Sequence, residues 1–490
     1  MSTPPGDRAR DKASWELPHW REMIELGTQD VYDVKFYPFK EPTDDPVFAA
    51  VGKKDLIVCR PTHAKEGRVQ IIQSWTDEGD NAENCSIAWA QREDGCPLLC
   101  VGGAKGIITV VNAITGELHQ ALQGHGGSIF DLKVPRSNAH LLASCSEDTT
   151  IRLWSLRKAH QELPCVAIFA GEGHLDRVLS IDFHESGHYI LSAGEDHVIN
   201  MWAVPKLPDE STESEKPQQV HYPHFSTSEV HSNSVDCVQF YNDLVLSRGH
   251  EEGCIVLWQI TRFTSSIGDI SDLPAPTTYN QNARTRSAFF QAPEDDKTAP
   301  RLYKRLLQFA IPNCDQWFMR FSMYNPYATS RHPVLAMCNS VSKVFFWDLS
   351  RLIEYQEFIK SPETVPKPSW LSMKTQSKKS RRSDGHRLLS QTPVDESVAS
   401  SSVCSFSTET LATAIDIEAN RSLWGEKYAM GDPWKSLKAH KVENIQRVTS
   451  VGRAVAWSDD GSFCVVAGSS GIISVLERWT KNTSIIKTEK

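Results

Sequence analysis

The fold class predicted for this 490-residue chain is all-β, a seven-bladed β-propeller. Three observations carry the prediction. A Gly-His pair recurs 49 residues apart, at Gly124-His125 and Gly173-His174. Each pair leads to a Ser, an Asp four residues on, and a Trp six residues further. From Val31 onward, short strand-like runs alternate with Gly, Asp and Asn turns, with almost no helical periodicity.

The first copy of the unit reads Asp148-Thr-Thr-Ile-Arg-Leu-Trp154 and the second Asp196-His-Val-Ile-Asn-Met-Trp202, after Ser144 and Ser192. This is the Gly-His…Trp-Asp pattern of a four-stranded WD40 blade, although neither Trp is followed by Asp. A buried carboxylate needs partners. In a tight inter-strand turn, Asp148 accepts a hydrogen bond from His125, whose other ring nitrogen faces Ser144, and Trp154 completes the chain. His125, Ser144, Asp148 and Trp154, like His174, Ser192, Asp196 and Trp202, are therefore read as structural, with no catalytic role.

In chain order, residues 1–30 form a polar leader in which Trp15 to Leu26 reads as a short amphipathic helix. Blade one begins at Val31-Tyr-Asp-Val-Lys-Phe36 and ends near Trp75; blade two runs from Cys85 to Gln123. The two repeats supply blades three and four. Blade five carries His231, Ser247 and Trp258, with Glu252 where Asp is expected. Blade six spans about 301–350 and ends in Trp347-Asp348; blade seven runs from about Ser436 to Trp479, with His440 in the Gly-His position. Segments 261–300 and 351–411 read as two long disordered insertions, the second rich in Ser, Lys and Arg and too polar to fold alone. The propeller thus covers 31–480, with a tail at 481–490. A flanking segment completes the last sheet, because closure removes exposed edges.

Composition narrows the function. A net charge of −9 gives no global basic field for nucleic acid. Only Lys374–Arg387 clusters enough cations to touch phosphates. Twelve Cys without a CxxC pair, many in apolar strand contexts, read as core residues rather than disulfides or metal ligands. Neither a signal peptide nor an 18-residue apolar run is present, so no membrane contact is expected. No cofactor is expected, and no nucleophile order or phosphate loop suggests an enzyme.

Each inner strand carries a large apolar residue, and the residue four positions earlier falls at one rim of the channel. That register gives Tyr32, Cys85, Phe130, Leu179, Asp236, Trp317 and Arg453, with Phe318 adjacent. Converging aromatic faces suit a quaternary ammonium, whose diffuse charge is attracted by ring quadrupoles. Asp236 and Arg453 sit where they can hold a bound peptide.

Four segments carry a family resemblance: Cys314-Asp-Gln-Trp-Phe-Met-Arg-Phe-Ser-Met323, His221-Tyr-Pro-His-Phe-Ser-Thr227, His231-Ser-Asn-Ser-Val-Asp-Cys-Val238 and Gly173-His-Leu-Asp-Arg-Val-Leu-Ser180. They closely resemble the EED/extra sex combs family, the WD40 subunits of Polycomb repressive complex 2. The likeness covers roughly 31–350 and, more weakly, 436–480. It implies a nuclear, non-catalytic scaffold that embraces a helix of an Enhancer-of-zeste type SET-domain methyltransferase, alongside other subunits of that complex. At the opposite mouth it implies an aromatic cage for trimethyl-lysine on a histone tail. Tyr32, Trp317 and Phe318 align with three of four cage aromatics, and Cys85 stands at the fourth. Asp236 and Arg453 align with peptide-contacting positions, and Phe130 replaces a polar residue at another. A second reading, a substrate receptor of a cullin-type ubiquitin ligase, rests on Trp154-Ser-Leu-Arg157, which resembles an adaptor-docking Trp-x-x-Arg motif.

Overall fold

The structure, a computed structural model, describes residues 16–478 except 28, 41–43, 64–68, 78–82, 208–215, 267–272, 277–282, 291–300, 327–330, 372–419 and 447–448. The described strands form seven sheets of four or five strands, each sheet a blade. The innermost strands are Val31–Phe36, Asn84–Gln91, Ile129–Lys133, Val178–Phe183, Val235–Tyr241, Ser322–Tyr324 and Gly452–Trp457, in blades one to seven. Apolar runs such as Phe48–Gly52 and Leu141–Ser146 are buried throughout, because each middle strand is covered by a neighbouring blade on both faces. Trp154, Trp202, Trp258 and Trp347 are among the largest fully buried side chains.

The ring is closed by the start of the chain. His19–Glu25 is not the helix expected over Trp15 to Leu26, but a strand antiparallel to Ile472–Glu477, the outermost of blade seven. Tertiary pairing overrides the amphipathic pattern, since the otherwise exposed edge of blade seven needs a ladder partner. The leader therefore ends earlier than residue 30. Arg21 and Glu477 form an ion pair across this seam, and both side chains are under 10% exposed.

Blade assignments also shift at the end. Tyr303–Ala310 is the fourth strand of blade five rather than the start of blade six. Lys441–Asn444 is the outer strand of blade six, and Ser436–Leu437 is a fifth strand on blade five, so blade seven begins at Gly452. His440 does not occupy a Gly-His position. Its Nδ1 accepts from the Asp348 backbone N–H at 2.9 Å, and its Nε2 bonds the Lys427 carbonyl at 2.9 Å. Burial, then Arg351, lowers its pKa to about 3, which keeps it neutral.

Both expected insertions contribute ordered structure. Thr285–Ser287 adds a strand to blade four. Helix α1, Leu349–Lys360, starts at Asp348, whose carboxylate caps the Arg351 N–H. It buries Leu352, Tyr355 and Phe358 against Trp424 and Tyr428 of a second helix, α2, over 420–428. The basic stretch Lys374–Arg387 and the rest of 372–411 lie outside the described residues.

Candidate functional site

The repeated residues form hydrogen-bond chains that lock the blades. His125 Nδ1 donates to Asp148 at 2.9 Å, its Nε2 meets Ser144 Oγ at 2.7 Å, and Trp154 Nε1 donates to Ser144 at 2.8 Å. His174, Asp196, Ser192 and Trp202 repeat the chain at 3.0, 2.8 and 2.9 Å. In blade five Glu252 takes the Asp role, meeting His231 at 2.5 Å, while His231 and Trp258 both bond Ser247. Ser247 precedes Glu252 by one residue more than Ser precedes Asp in blades three and four, and the longer side chain spans the difference. Gly173 is required by packing, since a Cβ there would collide with the Trp202 ring.

At the rim, one backbone device recurs. In six blades the innermost strand shifts register, and the unpaired residue is the rim residue in every case: Tyr32, Cys85, Phe130, Leu179, Asp236 and Arg453. A bulge drops one residue from the ladder, twists the strand and re-aims that side chain. Blade six has a shorter inner strand, and the loop before it brings Trp317 and Phe318 to the mouth, with Phe318 at φ +54°. Such a backbone persists in a bulky residue only when its surroundings fix it.

What fixes this loop is a buried cation. The guanidinium of Arg248 pairs with Asp236, both side chains fully buried, and donates to the carbonyls of Cys314, Gln316 and Met319. Asp236 was expected to face a bound peptide; instead its carboxylate lies below the surface against Arg248, where it orients the loop's anchor. From blade seven, Arg453 donates to the Trp317 carbonyl at 2.7 Å, pairs with Asp30 at 3.0 Å, and lies 5.9 Å from the Tyr32 ring centroid. Arg453 thereby joins Tyr32 to the Trp317 loop. Trp317 is 38% exposed, and its ring stacks on buried His250 at 4.1 Å and 18°. Burial and then Asp30 raise the pKa of Tyr32, so its phenol stays neutral.

Cys85 offers no aromatic face. Its thiol donates to the Ile129 carbonyl at 3.0 Å, and burial pushes its pKa up to about 12. Phe130, half-buried, reaches across the mouth to Phe318, with ring centroids 5.6 Å apart and planes 38° apart. Leu179 is buried. Beneath the rim, Arg320 pairs with Asp131 at 2.6 Å and donates to the carbonyls of Phe130 at 2.7 Å and Leu179 at 3.2 Å. Lys35, Lys133 and Asp182 continue this charged lining into a channel of about 310 Å³.

Arg248, His250 and Arg320 escape sequence reasoning about the site. Arg248 directly follows the blade-five Ser on the same strand, but nothing in one sequence pairs it with a loop over sixty residues away.

The blades and their hydrogen-bond chains define a WD40-repeat propeller with aromatic side chains gathered at one mouth. The "WD domain, G-beta repeat" family description matches residues 116–155 and 163–203. The Polycomb protein EED of Chaetomium thermophilum is 36% identical, over 97% of this chain and 98% of the relative. The Polycomb protein esc of Drosophila melanogaster is 29% identical over 65% of this chain and 70% of its own. Among solved structures, the C. thermophilum Polycomb repressive complex 2 matches with TM-score 0.80 at 37% identity, over 95% of this chain and 98% of the other. A structure of that complex with H3K27me3 and H3K27M matches with TM-score 0.81 at 38% identity, over 96% and 99%. This chain belongs to the EED family of Polycomb proteins. The relatives named here are all Polycomb proteins, so the ubiquitin-ligase reading is not favoured.

Proposed function

We propose that this chain is the non-catalytic scaffold subunit of a Polycomb repressive complex 2, and that its aromatic mouth reads trimethyl-lysine on a histone tail. The observation that carries the reading is the gathering of Tyr32, Trp317 and Phe318 at one mouth by Arg453 and Arg248, in a chain 36% identical to an EED protein over 97% of its length. Rings held by buried anchors are pre-organised, so little ordering cost opposes binding. The methyl groups bury apolar surface while the quadrupoles attract the cation. Arg453, at the rim between Tyr32 and the Trp317 loop, holds the peptide beside the cage in this reading. Asp236 supports the Trp317 loop through Arg248 and needs no peptide contact to do so.

The scaffold role supplies the other partners. The opposite face receives a helix of an Enhancer-of-zeste type SET-domain methyltransferase, which carries the catalysis, and the complex acts on chromatin in gene silencing. Nuclear location follows from that substrate. Calorimetry with an H3K27me3 peptide and its unmodified counterpart tests the reader role: tighter binding of the methylated peptide supports it, and equal binding removes it. Co-purification with a SET-domain methyltransferase tests the scaffold role.

A further inference from the structure

We infer that Phe130 is a wall of the methyl-lysine cage and supplies the aromatic face that Cys85 does not. The inference rests on the reader role above and concerns how that site is built in this chain.

Tyr32, Cys85 and Phe130 occupy equivalent bulges in three consecutive blades. The middle position holds a neutral thiol tied down to the Ile129 carbonyl, the residue before Phe130. Blade two therefore contributes no ring, and the next ring along the rim is Phe130. It meets Phe318, which enters from the loop before blade six on the far side of the mouth. The two rings lie in tilted contact, 5.6 Å apart with planes at 38°, so a trimethylammonium seated beside the pair meets two quadrupoles at once.

Phe130 is also held in place. Arg320 grips its carbonyl while paired with Asp131 in the channel below. The ring thus stands on a strand end fixed by a buried charge, not on a free loop. Two acids bear on Tyr32: Asp30 is committed to Arg453 and to the Ser470 N–H, and Glu83 pairs with Lys53. A primary ammonium needs acceptors, whereas a quaternary one needs faces. With both acids paired and two rings in contact, the site selects the quaternary cation.

The test uses the full-length chain and fluorescence anisotropy with H3K27me3 and unmodified peptides. Phe130→Leu keeps apolar volume and removes the π-face. It should weaken trimethyl binding about tenfold, leave unmodified-peptide binding unchanged, and melt like the parent. Phe130→Tyr should stay within about twofold of the parent. Restoring a ring by Cys85→Tyr in the Phe130→Leu background should recover most of the loss. Unchanged trimethyl binding in Phe130→Leu, or equal loss for both peptides, overturns the assignment. Should Phe130→Leu fail to fold, Cys85→Tyr alone decides: a gain under about twofold fits a mouth already walled by Phe130, and a gain of about tenfold overturns it. A parent chain that does not distinguish the peptides overturns the reader role itself, and this assignment with it.

Discussion

Asp236 and Arg248 form a fully buried ion pair whose guanidinium also holds three carbonyls of the loop carrying Trp317 and Phe318. One charge thus fixes both a blade and the loop that carries Trp317 and Phe318. Removing either partner leaves the other charge uncompensated in the interior. Arg248→Met should cost about 3–5 kcal/mol in denaturant unfolding. Arg248→Lys keeps the charge but loses the planar fork that spans the carbonyls. It should cost less stability, about 1–3 kcal/mol, and still weaken H3K27me3 binding several-fold in calorimetry.

Trp317 separates recognition from folding. The residue is 38% exposed and its ring rests on His250, so little core depends on it. Trp317→Ala should leave the melting temperature almost unchanged and abolish the preference for H3K27me3 over unmodified peptide. A variant that keeps the preference would place the cage elsewhere.

Acid should test the blade-five hydrogen-bond chain. Burial alone would raise the Glu252 pKa, but His231 and the Ser232 N–H and hydroxyl bring it to about 2, against an ordinary 4.5. A carboxylate more acidic in the folded state than in the unfolded one stabilises the fold above its unfolded pKa. That contribution fades as pH falls through the folded pKa. Glu252→Gln should therefore be less stable than the parent near neutral pH. The gap should close between about pH 4.5 and about pH 2 when chemical melts are compared across pH.

The seam between His19–Glu25 and Ile472–Glu477 is the fourth test. Truncation through Glu25 exposes the Ile472–Glu477 edge and strips buried Glu477 of Arg21. The truncated chain should melt earlier and less cooperatively, and light scattering should show self-association through the open edge.

Most of the fold is legible in the sequence because its periodic features are local. The Ser, Asp and Trp positions around His125 and His174 are set by hairpin geometry, so one blade's spacing predicts the next. The rim register is legible for the same reason: Phe36, Trp89 and Phe240 are core residues on the inner strands, and four residues back lies the bulge. What escapes is carried by distance. The His19–Glu25 strand has a helix-compatible pattern until its partner, near the far end of the chain, is in view. His440 mimics a Gly-His position because a buried, neutral His looks the same in sequence whichever groups it bonds. Asp236 reads as a peptide contact because Arg248 is invisible as its counter-ion. Phe130 reads as a bare substitution because only coordinates show the ring it meets.

The closing strand of the ring comes before every other described strand, and its partner comes after all of them. A ribosome therefore releases the latch first and the catch last, with all the intervening blades between them. Until Ile472–Glu477 emerges, His19–Glu25 has no mate, and no partial chain can seal itself. Closure is the most non-local pairing among the described strands, and such pairings form slowly and leave edges exposed meanwhile. Until that last strand is made, the blades form an open crescent.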